Sequence, residues 1–105
     1  MTNMSTLIER VRGLTGPDRE VDAVVFEFFG GLSWVVPPAY TASLDAVVSL
    51  IERELPSYRW QCGNDGPGIS AFGFVGRDDE PAHLGETPAL ALLLAALTAI
   101  KERDE

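Results

Sequence analysis

The sequence has few of the residues that most metal sites and nucleophilic sites need. One cysteine, Cys62, and one histidine, His83, occur in 105 residues. Zinc binding or nucleophilic catalysis requires several such side chains close together. A single cysteine also excludes an internal disulfide, which is typical of a protein in a reducing compartment. We therefore expect no metal, no cofactor, no catalytic residues and a cytoplasmic location.

Basic residues and long apolar runs are scarce as well. Eight Lys and Arg are outnumbered by 16 Asp and Glu, so the formal net charge is -8. A chain of this charge repels a phosphate backbone, and direct nucleic-acid binding is not expected. The longest largely apolar run near the C-terminus, residues 88–100, is shorter than the roughly 20 residues of a membrane-spanning helix. The N-terminus resembles no signal peptide, so neither membrane association nor secretion is expected.

The overall composition is that of an ordinary folded domain. Hydrophobic residues make up 46% of the chain and charged residues 23%. The chain has no repeat, low-complexity tract or linker, so we predict a single domain over residues 1–105. Apolar residues recur at helical spacing in four segments, each opened by a capping residue or a proline. The predicted helices cover residues 5–13, 17–29, 42–55 and 88–103.

Alternating side chains predict an antiparallel hairpin with strands at 57–62 and 69–75, joined by a glycine-rich turn. Gly73 lies inside the second strand, where glycine often marks a close approach, so we expect a helix over the sheet there. An isolated hairpin is marginal in water, and residues 32–36 are the candidate for an extra edge strand. We therefore predict the α+β class, with a small antiparallel sheet sandwiched between helices.

The last predicted helix is apolar on nearly every side until Lys101. A helix of this kind must be covered on more than one side. Two arrangements satisfy that requirement. Either the helix is central, between the sheet and the other helices, or its spare face meets a second copy of the protein to form a homodimer.

Two surface features are candidates for binding a partner. One is the polar loop 76–86, where the acidic residues are either a docking patch for a basic surface or only solvated. The other is Trp34, in a segment that ends in two prolines. An exposed Trp34 indicates an interface, and a buried one indicates core. The candidate partner-binding residues are Trp34, Asp78, Asp79, Glu80 and Glu86.

A small-molecule or enzymatic role is the weakest of the functional hypotheses. It would place Cys62 in a pocket lined by Trp60 and Phe72. The alternative is that Cys62 is a small hydrophobic residue packed in the core, as free cysteines usually are.

Three stretches resemble the phage ABA sandwich domain, a family of small phage and prophage proteins. They are Gly-Pro-Asp-Arg-Glu-Val-Asp at 16–22, Pro-Pro-Ala-Tyr-Thr-Ala-Ser-Leu-Asp-Ala at 37–46, and Thr-Pro-Ala-Leu-Ala-Leu-Leu-Leu-Ala-Ala-Leu at 87–97. The resemblance implies a sheet layered between helices and an origin in a bacteriophage or prophage. It implies the cytoplasm of a bacterial host as the location, and it supplies no catalytic residues.

Together these observations predict a non-enzymatic phage or prophage accessory protein that binds a host or phage protein. One version is an acidic, anti-CRISPR-like or nucleic-acid-mimicking inhibitor of host defence, which would present its acidic loop to a groove built for nucleic acid. The alternative is a self-associating structural or virion-assembly protein, whose interface would be Trp34 and the C-terminal helix.

Overall fold

The computed structural model describes residues 3–32, 34–64, 71–76 and 82–104. Its helices are α1 (Met4–Arg12), α2 (Arg19–Phe28), α3 (Leu44–Glu54) and α4 (Pro88–Arg103). Its strands are β1 (Arg59–Asn64), β2 (Ala71–Gly76) and β3 (His83–Gly85), all between α3 and α4 along the chain. The predicted α+β class with a small antiparallel sheet is confirmed.

Each helix begins at a side chain that accepts a hydrogen bond from a backbone N–H of the first turn. The four N-cap residues are Asn3, Asp18, Ser43 and Thr87. Because the cap of α1 is Asn3, that helix starts one residue earlier than predicted. Because the cap of α2 is Asp18, that helix starts after Pro17 rather than at it.

Helix α4 is the middle layer of the molecule. One side contacts all three strands, and the other side contacts α1 and α3, while α2 packs against α1. Between Ala89 and Ile100 every residue of α4 except Thr98 is buried. Of the two predicted arrangements the structure therefore has the central helix. The sandwiched layer is α4 rather than the sheet, and its apolar surface is covered within one chain, which removes the reason for a homodimer through this helix.

The three strands are antiparallel in the order β1-β2-β3. The predicted hairpin is confirmed, with β1 two residues later than predicted and β2 ending one residue later; positions 69 and 70 of the second predicted strand, and residues 65–68 of the turn, lie outside the described residues. The third strand is His83–Gly85, inside the segment that was predicted to be a loop, and the edge strand predicted at 32–36 is wrong. There the Val35 N–H donates to the Leu32 carbonyl over 3.0 Å, forming a turn. Arg19 holds the carbonyl of Pro37 beside α2, so this segment is tied to a helix rather than to the sheet.

Glycines allow the backbone of α4 to lie very close to the sheet. A Cβ atom at Gly73 would be 2.5 Å from the carbonyl oxygen of Ala91 and 2.5 Å from the amide nitrogen of Leu92. A Cβ atom at Gly85 would be 2.8 Å from the amide nitrogen of Ala91. The predicted approach of a helix at Gly73 is confirmed. In the part of the chain that the structure describes, no helix is both long and apolar enough to cross a membrane.

Candidate functional site

Trp34 is 80% exposed, so it is an interface candidate rather than part of the core. Other large apolar side chains are exposed beside it in the sequence. Eight such side chains are exposed among the described residues, and five of them lie between positions 28 and 36. We call these five the Trp34 surface. They are Phe28, Leu32, Trp34, Val35 and Val36.

Exposed apolar side chains that occur singly are ordinary, whereas a group of them marks an interaction site in many soluble proteins. Trp34 was predicted from the sequence as a candidate, whereas the other four members were not. One signal in the sequence marks the whole segment. No charged residue occurs between Glu27 and Asp45, in a chain that is 23% charged.

The segment that carries Trp34 is fixed to α2 where the chain leaves that helix. Gly30 has a positive φ of 90°, which turns the chain back after the helix. The Gly31 N–H donates to the carbonyl of Phe26 over 2.8 Å, and a Cβ atom at Gly31 would overlap the Phe26 ring. The segment therefore starts in close contact with α2.

The same segment is fixed again where it passes the start of α2. Arg19 Nη2 donates to the carbonyl of Pro37 over 2.9 Å. Arg19 and Phe26 are seven residues apart, so they lie on one face of α2, two turns from each other. The chain between them runs back along that face. Trp34 is thus presented from a segment attached to α2 at both ends.

A buried polar network holds the chain just beyond this segment. The carboxylate of Asp22 is fully buried, and its Oδ1 accepts hydrogen bonds from the Thr41 N–H at 2.7 Å and the Thr41 hydroxyl at 2.8 Å. Its Oδ2 accepts one from Arg19 Nη1 at 2.8 Å. The Asp18 N–H donates to the Thr41 hydroxyl oxygen over 2.8 Å. Arg19 therefore connects this network to the segment that carries Trp34.

This network was not predicted from the sequence, since its members lie up to 23 positions apart in the chain. The network fixes Thr41 against α2 through its hydrogen bonds to Asp22. Among the residues that the structure describes, every buried side-chain nitrogen or oxygen has a hydrogen-bond partner.

Of the four acidic candidates, the structure describes only Glu86. Asp78, Asp79 and Glu80 lie outside the described residues. Glu86 is exposed and, with Arg12 and Leu84, lines a pocket of 170 Å³ between α1, β3 and α4. The described acidic candidate therefore lies at a pocket of α1, β3 and α4, whereas Trp34 lies on the segment attached to α2.

The pocket predicted around Cys62 is not formed. Cys62 lies opposite Gly73, and Phe72 lies opposite Gly63. Neighbouring residues of a strand point to opposite faces of a sheet, so Phe72 and Cys62 lie on different faces. The half-buried Cys62 packs against the hydrophobic core, as expected for a small hydrophobic residue.

The surroundings of His83 and Tyr40 shift the pKa values of these two side chains. Burial lowers the pKa of His83 below its ordinary value, the guanidinium of Arg12 lowers it further, and Glu102 opposes both. Burial raises the pKa of Tyr40, with Arg53 acting in the opposite direction. Within the described ranges, no three His, Cys, Asp or Glu side chains lie close enough together to hold a metal ion.

The fold and this surface define a small α+β domain that presents an uncharged apolar segment beside one helix. No protein-family model, curated protein or solved structure significantly matches the chain. The resemblance to the phage ABA sandwich domain therefore rests on the three stretches quoted above and stays a prediction.

Proposed function

We propose that this protein acts by binding another protein through the Trp34 surface, without catalysing a reaction. One observation carries the proposal: five large apolar side chains are exposed within nine consecutive positions, Phe28 at the end of α2 and four on the segment attached to α2 at both ends. A segment held by hydrogen bonds at both ends loses less conformational entropy when it binds, which favours affinity.

The size of the effect follows from the exposure of Trp34. A tryptophan side chain buries up to about 200 Å². Covering the exposed 80% of it contributes about 4 kcal/mol at ~25 cal/mol per Å², before the cost of association. This is the range of a residue at the centre of an interface, where tryptophan is enriched.

The finer proposal concerns the origin of the protein and its partner. We propose a phage or prophage accessory protein that binds a host or phage protein in the cytoplasm of a bacterial host, with antagonism of a defence system as one version. It is supported by the resemblance to the phage family and by the net charge of -8. The alternative is a self-associating assembly protein, whose predicted interface was Trp34 and the C-terminal helix. Because α4 is buried, Trp34 is the part of that interface that remains.

Affinity capture with matched tryptophan variants tests the binding proposal. Wild-type protein, Trp34→Ala and Trp60→Ala are used as baits in lysate of infected cells, and bound proteins are identified by mass spectrometry. Trp60 is the control, because it is the second tryptophan and is also partly exposed, at 42%. We expect one partner to be retained by wild type and Trp60→Ala and weakened roughly thirtyfold or more by Trp34→Ala. Equal capture by all three proteins would refute the proposal.

The version of the proposal in which the acidic loop contacts the partner has its own test. Replacing Asp78, Asp79 and Glu80 with lysine should weaken capture and reduce its dependence on salt. Unchanged capture would remove the acidic loop from the interface and leave the role of Trp34 intact.

A further inference from the structure

The charges closest to the Trp34 surface along the chain are almost all negative. Between Arg12 and Leu44 the chain has four acidic residues and a single basic one, Arg19. The guanidinium of Arg19 is already engaged, with Asp22 through Nη1 and with the Pro37 carbonyl through Nη2. Arg19 therefore does little to offset the negative charge of other carboxylates near the Trp34 surface.

Two of these acids form a stripe along α2. Glu20 and Glu27 are exposed and seven residues apart, so they share one face of the helix. That face is one residue, about 100°, around the helix from the face of Arg19 and Phe26, along which the Trp34 segment runs. Within the described residues, neither glutamate takes part in an ion pair. The apolar surface is thus bordered on this side by two unpaired carboxylates.

We propose that the partner of the Trp34 surface is an apolar protein surface bordered by lysine or arginine, as on a basic amphipathic helix. This inference rests on the proposed function and names the class of partner. Trp34 and Val36, which is 81% exposed, contact the apolar part. Glu20 and Glu27 face the basic border.

Charge distinguishes the three kinds of partner that could cover the Trp34 surface: a second copy of the chain, a membrane and another protein. In a symmetric dimer the same patch and its border meet themselves, which brings the glutamate stripes of two chains of charge -8 together. Like charges across an interface oppose association. The anionic surface of a bacterial membrane repels the stripe in the same way. A border of lysine or arginine is complementary to the glutamate stripe, and the attraction between these charges speeds association.

Fluorescence of Trp34 offers a direct test with defined probes. In the variant Trp60→Phe, Trp34 is the sole tryptophan. Three synthetic amphipathic helical peptides with one leucine face and either lysine, glutamine or glutamate on the other faces are titrated into this variant. We expect the lysine peptide to shift the Trp34 emission to shorter wavelength at the lowest concentration, the glutamine peptide to bind more weakly, and the glutamate peptide to have no effect.

Paired charge variants separate the glutamate stripe from the net charge of the chain. Glu20→Gln with Glu27→Gln removes two charges from the stripe, and Glu52→Gln with Glu102→Gln removes two exposed charges from α3 and α4. We expect the first pair to weaken binding of the lysine peptide about fivefold at low salt and to flatten its salt dependence. The second pair should change binding far less, since its charges are not on α2.

The remaining outcomes each overturn the inference. Equal affinity for the lysine and glutamine peptides, equal effects of the two variant pairs, or no shift with the lysine peptide would exclude a basic border. An emission that depends on protein concentration would indicate a second copy, and a shift with phosphatidylcholine vesicles would indicate a lipid surface. In any of these cases a partner captured from lysate in a Trp34-dependent way would still support the proposed function, so the two failures are distinguishable.

Discussion

Replacing Gly73 with alanine tests how closely β2 and α4 are packed. The added Cβ atom would lie 2.5 Å from both the Ala91 oxygen and the Leu92 nitrogen, whereas ordinary contacts begin at 3.4 Å. Both atoms belong to the backbone of α4, so no side chain can rotate away. The two elements must separate by about 1 Å, which loosens the packing of the central helix. We expect a loss of about 3 kcal/mol, the upper end of overpacking costs.

Urea unfolding followed by far-UV circular dichroism measures this loss, and thermal unfolding should show a decrease in Tm of roughly 12 °C or more. Gly63→Ala is the matched control, because Gly63 lies in the neighbouring strand and its added Cβ atom would meet only the ring of Phe72, at 3.2 Å. We expect this variant to stay within about 0.5 kcal/mol of wild type, since alanine also lowers the entropy of the unfolded chain.

A second substitution tests whether contact with the backbone of α4 causes the loss of stability. Ala91→Gly removes the side chain of Ala91 but leaves its backbone in place, so it should not restore the stability of Gly73→Ala. Recovery in the double variant, or a loss at Gly73 no larger than at Gly63, would show that the backbones are not in the contact that the structure describes.

Three further predictions follow from single features. Asp22→Ala leaves the buried N–H of Thr41 without its acceptor, and urea unfolding should show a loss of about 2 to 3 kcal/mol; a loss below ~0.5 kcal/mol would contradict the network. Burial lowers the pKa of His83 in the folded state, so the unfolded chain binds the proton more readily and stability falls as the pH drops below about 6.5. His83→Gln should reduce that fall between about pH 7.5 and 5.5, and an unchanged pH profile would refute it. In single-tryptophan variants acrylamide should quench Trp34, 80% exposed, more strongly than Trp60, 42% exposed; the reverse order would place Trp34 in the core.

The parts of the fold that were predicted correctly depend on neighbours in sequence. Helical spacing and capping residues located all four helices, because a helix is held together by contacts three or four residues apart. The hairpin followed from alternation and a turn. Gly73 indicated a close approach, since glycine inside a strand is otherwise unfavourable.

Strand β3 and the buried carboxylate of Asp22 could not be predicted in this way. Three residues are too few to show alternation, and their pairing with β2 is visible only in the folded chain. Asp22 is stabilised by Thr41, 19 positions further along. An isolated aspartate in a helical pattern is ordinarily solvated, so its burial needs a partner that the local sequence does not identify.

The Trp34 surface shows the same division between what neighbours in sequence predict and what only the fold decides. The sequence by itself determined that the chain is acidic, has a single cysteine and a single histidine, and carries an uncharged segment around Trp34. Only the tertiary structure decided that Trp34 is exposed rather than buried, because exposure depends on which residues cover a side chain. Here the hydrogen bonds of Gly31 to Phe26 and of Arg19 to Pro37 hold the segment along α2, outside the core that α4 fills.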